Sequence, residues 1–310
     1  MRCRASLVTL ATAALLASAA GATPLFLAGV GCNGPTVQDT SNFSATSSCS
    51  PPSSSVGELE VQEAASASSG PGVMRLDAQS STFGFFVKQP TTVVRSAQAF
   101  AEWTYDDFVV LGPAGSTAPV LAALNLQISG LLSTLTSFFD LNGPLTSSSS
   151  SNADFFFQIE INGIDVGYGE IIRRQQNGVV TETVDGLFLS LYQGGAQVHA
   201  AVKSQFLMLP VNQALSVHVF AIAGARSAAS VGGTPADAND RTDVASLGDA
   251  DFSATVQFPT TGPVFDLPAG YTLQSVSANI VDNQFVPEPS TFALGAAASL
   301  AGLWARRRAH

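Results

Sequence analysis

The chain has 310 residues, of which 46% are hydrophobic and only 12% are charged, and its net charge is −10. This length accommodates one large domain or two small ones. The acidic balance excludes nucleic-acid binding through neutralisation of phosphates. Sparse charge with abundant Ala, Ser, Gly, Thr and Val is typical of an exported β-rich protein and unusual for a cytoplasmic enzyme.

The N-terminus has the features of a secretory signal peptide, which we predict over residues 1–22. Arg2 and Arg4 form a basic start, and an apolar run follows them. Small residues then favour cleavage after Ala22, with an alternative small-residue site two positions earlier. A lipoprotein cut before Cys32 is disfavoured, because the residue three positions before it is glycine where such sites carry leucine.

Residues 23–72 form a lead-in rich in Ser, Gly, Pro and Thr, with few residues able to cover a core. We expect it to be flexible or lightly structured, with one short strand over residues 56–61. Cys32 and Cys49 lie in an oxidising compartment after export, so we predict a disulfide between them. We expect no metal there, because no histidine is near either thiol in the sequence.

Residues 73–285 show strand patterns, and we interpret them as the body of the protein. Strict alternation over residues 92–110 predicts a strand pair or one long bent strand, with Trp103 and Tyr105 on one face. Asn162-Gly163 is the strongest hairpin signal. Further strands are expected at residues 83–87, 120–135, 154–161, 164–172, 179–184, 187–191, 199–208, 214–223, 251–258 and 271–280.

Some segments of the body are expected not to be strands. A helix is an alternative to a strand for residues 131–139, and residues 146–152 and 232–249 are expected to be loops. Roughly ten strands separated by turns, without βαβ periodicity, predict an all-β fold. The expected architecture is an antiparallel β-sandwich of jelly-roll type.

No motif for nucleophilic catalysis, phosphate binding, zinc proteolysis or dinucleotide binding is present in the sequence. We therefore expect no catalytic residue and no cofactor. Paired carboxylates are the chemistry of glycoside hydrolysis, and a pair from the body keeps a secreted hydrolase open as an alternative. The candidates are Glu160, Asp165, Glu170, Glu182 and Asp185.

Two other kinds of binding site are open in the body. Aromatic platforms would suit a lectin-like carbohydrate-binding module, and the candidates are Trp103, Tyr105, Tyr168, Tyr192 and Tyr271. Metal binding has weak candidates. His199 and His218 stand in strand-like runs that favour a structural role, and Asp237, Asp240 and Asp243 are calcium candidates whose spacing matches no calcium motif.

The last 25 residues, 286–310, combine three different pieces. Pro287-Glu288-Pro289 is a stiff triplet, because proline restricts its own φ and the residue before it. An apolar stretch over residues 291–305 follows, which as a helix is about 22 Å long. A cluster of three arginines then ends the apolar stretch, formed by Arg306, Arg307 and Arg308. By the positive-inside rule this cluster stays on the cytoplasmic side of the membrane.

This arrangement resembles the PEP-CTERM sorting signal of Gram-negative surface proteins. The resemblance implies an inner-membrane intermediate held by the C-terminal helix, removal of the tail by an exosortase, and delivery to the cell surface or extracellular matrix. Bodies of this family also carry stretches similar to residues 97–115, 251–253 and 267–272. We expect a structural or adhesive protein that contacts exopolysaccharide or other components of a biofilm.

Overall fold

The structure is a computed structural model that describes residues 23–32, 36–41, 44–50, 54–56, 58–87, 89–141, 146–233 and 241–286. The predicted signal peptide and the predicted sorting signal, from Pro287 onwards, lie outside these residues. Within them, no helix has the length and apolar character needed to cross a membrane.

The described chain consists of strands joined by short connections, with one 3-10 turn at Leu187–Ser190. The strands are β1 Leu25–Cys32, β2 Val37–Ser41, β3 Ala45–Cys49, β4 Ser54–Val56, β5 Leu59–Gly70, β6 Val73–Val87, β7 Thr91–Leu111, β8 Val120–Leu141, β9 Thr146–Ile161, β10 Ile164–Gln176, β11 Val179–Gly186, β12 Gln197–Lys203, β13 Leu207–Leu209, β14 Ala214–Gly232, β15 Arg241–Gln257, β16 Phe265–Asp266, β17 Thr272–Gln274, β18 Ile280–Val281 and β19 Gln284–Phe285.

These strands form two antiparallel sheets that face each other, and a large and a small hydrophobic cluster lie between them. The first sheet has the order β11-β10-β9-β14-β7-β1-β2, and the second has the order β12-β8-β15-β6-β5-β3. The chain passes between the sheets in the steps β2 to β3, β6 to β7, β7 to β8, β8 to β9, β11 to β12, β13 to β14, β14 to β15, and β16 to β17. The expected all-β, antiparallel architecture is confirmed.

The core changes in character along the strands. At one end, large rings fill the space between the sheets: Trp103 stacks on Phe258 with ring centroids 4.9 Å apart, and Tyr105 and Phe108 pack beside them. Buried alanines of β7 and β14 occupy the middle. This gradient follows from the alternation on β7, where Ala97, Ala99 and Ala101 precede the tryptophan on the same face.

Beyond these alanines, before the small cluster around Val61 and Val231, the sheets approach closely and are joined by hydroxyl groups. A Cβ at Gly248 would lie 2.2 Å from the Asn152 carbonyl oxygen of the opposite sheet, so only glycine fits. The Ser227 hydroxyl lies 2.9 Å from both Ser80 and Thr82. Because these three hydroxyls are paired across the gap, they avoid the cost of unpaired buried groups.

The lead-in belongs to the sandwich, so its interpretation as a flexible or lightly structured segment is wrong. Strand β1 pairs with β7 over its full length and buries Phe26, Ala28 and Val30. Strand β5 pairs with β6 on one side and with β3, the edge strand of the second sheet, on the other. Cys32 and Cys49 are joined by a disulfide that links β1 to β3, one strand from each sheet.

Several local predictions are also wrong. Residues 131–139 are strand, within β8, and residues 146–152 are strand, within β9. Residues 187–191 carry the 3-10 turn instead of a strand. The predicted acidic loop at residues 232–249 is strand from residue 241 onwards, within β15. The region 199–208 is divided between β12 and β13, and the region 271–280 holds only the short β17 before a series of turns.

The hairpin prediction at Asn162-Gly163 is confirmed. Asn162 and Gly163 both have positive φ, at 53° and 73°, and they connect β9 to β10. Asn177 and Gly178 repeat this conformation between β10 and β11. Positive φ at both central residues is the requirement that Asn-Gly meets at low steric cost.

The end of the body is fixed by one buried carboxylate. Asp107 accepts hydrogen bonds from the Ser275 hydroxyl at 2.7 Å, from the Ser277 backbone N–H at 2.9 Å, and from the Ser277 hydroxyl. Both Asp107 and Ser275 are buried. This contact attaches the turn before β18 to the long strand β7.

Candidate ligand-binding face

The outer face of the first sheet is the most chemically varied surface of the described chain. Alternation directs every second residue of β7, β14, β9 and β10 away from the core. Cross-strand register then aligns these residues in rows: Thr104 with His218 and Glu160, Glu102 with Phe220 and Gln158, and Phe100 with Ile222 and Phe156. We call this surface the outer face, and it is not covered by any other described element.

Aromatic rings run across the middle of the outer face. The Phe100 ring lies over Gly29 of β1, where a Cβ would be only 2.1 Å from it, so the ring rests against the sheet. Phe220 lies next to it at 6.5 Å between ring centroids. Phe156 and Tyr168 form a near-parallel pair, with centroids 6.4 Å apart and planes 27° apart.

Carboxylates surround His218 at one end of the face. The imidazole lies between two strands, with Nε2 3.3 Å from Glu102 Oε1 and Nδ1 3.6 Å from Glu160 Oε2. Hydrogen bonding to Glu102 raises the pKa of His218 above its ordinary value, burial opposes this in part, and attraction to both carboxylates adds to the increase. The histidine therefore tends to hold a proton at this position.

Further polar contacts organise the side of the face formed by β10 and β11. The Gln158 amide donates to Asp165 Oδ2 at 3.2 Å and lies 3.4 Å from Glu160 Oε1. The Tyr168 hydroxyl donates to Asp185 Oδ2 at 3.1 Å, which raises the pKa of this phenol. These contacts orient the acceptor groups beside the aromatic rings.

The opposite end of the face carries arginines. Asp154 lies over Gly224, and burial raises the pKa of this carboxyl, with Glu170 adding to the shift. Arg174 and Arg226 line an open depression there together with Asn152, which accepts from Arg174 Nε at 3.3 Å. The face is therefore acidic at the His218 end and mixed at the other.

The aromatic residues predicted as sugar platforms divide between core and surface. Trp103 and Tyr105, whose shared face with three alanines suited core packing as well as a platform, are fully buried and cannot act as platforms. Tyr192 and Tyr271 are half-buried and lie away from the outer face. Tyr168, 40% exposed, is the one candidate that belongs to the face.

The predicted carboxylate candidates are partly brought together. Glu160 of β9 and Asp165 of β10 are direct cross-strand partners. Beyond the bulge in β10 at Val166, Glu170 pairs with Asp185 of β11. Glu182 faces the other side of the sheet edge, where it forms an ion pair with Arg173. Four of the five candidates therefore lie on the open outer face.

The two histidine candidates do not converge, and of the three calcium candidates the structure describes one. His199 is exposed on β12 of the second sheet, far in topology from His218. Asp237 and Asp240 lie outside the described residues, and Asp243 is part of β15. Within the described ranges, no group of three or more His, Cys, Asp or Glu side chains has a metal-binding arrangement.

A second acidic group lies on the outer surface of the second sheet. Asp249 and Asp251 of β15 neighbour Asp77 of β6, which pairs directly with Asp251. Burial raises the pKa of Asp249 to about 6, and the charges of Asp77 and Asp251 contribute. The negative charges of these carboxylates repel one another, and we assign them no binding role.

Sequence reasoning missed the phenylalanines of the outer face. Phe100, Phe156 and Phe220 stand opposite the buried positions of their strands, where polar residues are the usual choice. The available signal was the presence of large rings on both faces of β7 and β9, and of one ring on the outward face of β14. Cross-strand register was also needed to show that the three rings are neighbours.

Comparison with known proteins adds no assignment. No protein-family model, no curated protein and no solved structure matches this chain.

Proposed function

We propose that this chain is an exported, non-enzymatic protein of the bacterial surface or extracellular matrix, sorted by an exosortase through its C-terminal signal. The observation that carries the proposal is the order of the last pieces: the Pro287-Glu288-Pro289 triplet, an apolar stretch, and Arg306 to Arg308. The resemblance to the PEP-CTERM signal supports a membrane-held intermediate and delivery to the surface of a Gram-negative cell.

The position of the triplet relative to the body supports processing. The last described residue, Val286, is 52% exposed, and its N–H donates to Asn279 at 2.8 Å. The last ring in contact with the core belongs to Phe285. All of the described core contacts therefore precede the triplet, and a cut after Pro289 would leave them in place.

The strand order supports a jelly-roll assignment for the body. In the first sheet the central order is β7-β14-β9-β10, and in the second it is β6-β15-β8-β12. Eight strands that alternate between two sheets in this way correspond to the two interleaved Greek keys of a jelly roll. The fold carries no activity by itself, because function resides in sites placed on it.

Carbohydrate binding is the second candidate function, and the outer face favours it. Aromatic rings against which a sugar ring can pack lie beside amide and carboxylate acceptors, which is the composition of a small-molecule recognition surface. Contact with matrix polysaccharide through this face would give the sorted protein its adhesive role.

The test of the sorting proposal is the intact mass of the protein recovered from the envelope and medium of the native host. We expect the wild type to lack about its last 20 residues, as cleavage near the triplet requires. A variant with Pro287, Glu288 and Pro289 replaced by alanine should keep the tail and stay in the inner membrane. The control replaces Thr260 and Thr261, exposed in a loop of the body, and should be processed normally. An intact tail in the wild type refutes the proposal.

A further inference from the structure

The structure assigns a ligand class to the outer face: we propose that it binds a polysaccharide of amino sugars whose amines are at least partly free and protonated. The inference rests on the proposed carbohydrate contact and names its chemistry. Its main evidence is the charge of the face at the His218 end, together with the position of the aromatic rings.

Charge complementarity selects a cationic ligand. In the described strands, the three rows nearest the β9–β10 hairpin carry Glu102, Glu160, Asp165, Glu170 and Asp185, and the one basic side chain among them is His218. Without its signal peptide and sorting signal, the chain keeps 8 basic and 22 acidic residues, a net charge of −14. An anionic polysaccharide would be repelled by this end of the face, whereas ammonium groups would be attracted.

The aromatic rings favour a cationic sugar over other cationic ligands. The Phe100 ring rests against Gly29, and Phe220 and Phe156 extend the aromatic surface towards Tyr168. Rings in this arrangement offer apolar area to a sugar ring and attract an ammonium group through the cation–π interaction. Asp185 accepts from the Tyr168 hydroxyl, and Gln158, the register partner of Tyr168 and Phe220, contacts Glu160 and Asp165, so acceptors for the hydroxyl groups of the same sugar chain lie on the strands that carry the rings.

The location of the face argues against an extended basic peptide. Peptides that bind sheets usually add a strand at an edge, where backbone N–H and C=O groups are free. The outer face instead centres on β7, β14 and β9, each of which is paired on both sides. A ligand here contacts side chains only, which suits a polysaccharide that offers hydroxyl and amine groups along its length.

The experiment measures binding of the full chain, in detergent micelles, by isothermal titration calorimetry. The probes are oligosaccharides of glucosamine, the same oligosaccharides fully N-acetylated, oligomers of a uronic acid, and oligolysine. We expect the glucosamine oligosaccharides to bind tightest and the uronic acid oligomers not to bind. Binding should weaken as the pH is raised and the amines lose their protons.

Matched variants locate the site. Glu102→Gln with Glu160→Gln removes two charges from the face, and Tyr168→Ala removes a ring. Each should weaken glucosamine binding about tenfold, the effect of one good charge or cation–π contact. The controls are Glu60→Gln and Phe139→Ala, both exposed on the second sheet, and these should leave affinity unchanged. Circular dichroism establishes that every variant is folded.

Four results overturn the inference. Equal binding of N-acetylated and free glucosamine oligosaccharides would show that charge has no part in selection. Tighter binding of oligolysine would make the face a site for basic peptides. Equal losses in the control variants, or no binding at all, would remove the site from this face. None of these results bears on the processing of the C-terminal tail, which the intact-mass experiment tests separately.

Discussion

Replacement of Asp107 by alanine tests whether one carboxylate holds the end of the body to the sheet. Asp107 accepts hydrogen bonds from one backbone N–H and two serine hydroxyls on the turn at residues 275–277. Asp107 is buried because of a bulge: Asp106 and Asp107 of β7 stand opposite the single Ser216 of β14. The bulge directs both Asp107 and Phe108 towards the interior.

The expected loss of unfolding free energy in Asp107→Ala follows from the hydrogen-bond donors that lose their acceptor. Hydrogen bonds to a charged acceptor each contribute about 1.5–3 kcal/mol, and a buried donor left unpaired costs about 1–3 kcal/mol. Ser275 is buried and Ser277 half-buried, so water replaces the carboxylate only in part. We expect Asp107→Ala to lower the free energy of unfolding by about 3 kcal/mol, equivalent to about 6–12 °C in melting temperature for a domain of this size.

The assay is urea denaturation followed by tryptophan fluorescence, since Trp103 is in the core. Asp106→Ala is the matched control, because it removes the adjacent, exposed carboxylate. We expect that control to change stability by no more than about 0.5 kcal/mol, as is usual for surface substitutions. If both variants lose the same amount of unfolding free energy, Asp107 does not hold the turn and the reasoning fails.

Three further predictions concern other parts of the sandwich. Replacing Cys32 and Cys49 by serine should lower stability by about 3 kcal/mol by the loop-entropy estimate, and reductant should then have no further effect on the urea midpoint. In an NMR titration the pKa of His218 should lie above its ordinary value of 6.5, and Glu102→Gln should lower that pKa. The protonated histidine contributes to stability fully below pH 6.5, and this contribution is lost as the pH rises through the higher pKa of the folded state. Gly248→Ala should cost at least about 3 kcal/mol, because the new methyl group meets backbone of the opposite sheet; a normal urea midpoint would show that the sheets can separate there.

The elements that sequence reasoning found share a strong local cause. The alternation around Trp103 and Tyr105 predicted β7 because large and small apolar residues repeat at every second position. The hairpin at Asn162-Gly163 was predictable because few residue pairs accept positive φ at both positions. In both cases the backbone requirement is met within a few residues, without reference to the rest of the fold.

The serine-rich start of β9 was missed for a tertiary reason. Residues 146–152 have a composition that normally indicates a loop. They are strand because they pair with both β10 and β14, and because Ser149 and Ser151 face the narrow gap between the sheets. Small hydroxyl side chains fit this gap, whereas larger apolar ones would not. The error at residues 131–139 has a related cause, since leucine and phenylalanine occupy both faces of that stretch and obscure the period of two.

The outer face shows why a candidate site of this kind is difficult to predict from sequence. Its rows join residues as distant as Glu102 and His218, and their alignment depends on two bulges that flank the rows. On β10 the bulge leaves Val166 without a register partner on β9; if Val166 paired regularly with Ile159, Tyr168 would stand opposite Phe157 and point into the core. Because a one-residue slip exchanges the two faces of a strand, periodicity alone gives the alternation but not the side on which each ring lies. The bulges therefore determine the composition of the face, and they become visible only when the strands are paired.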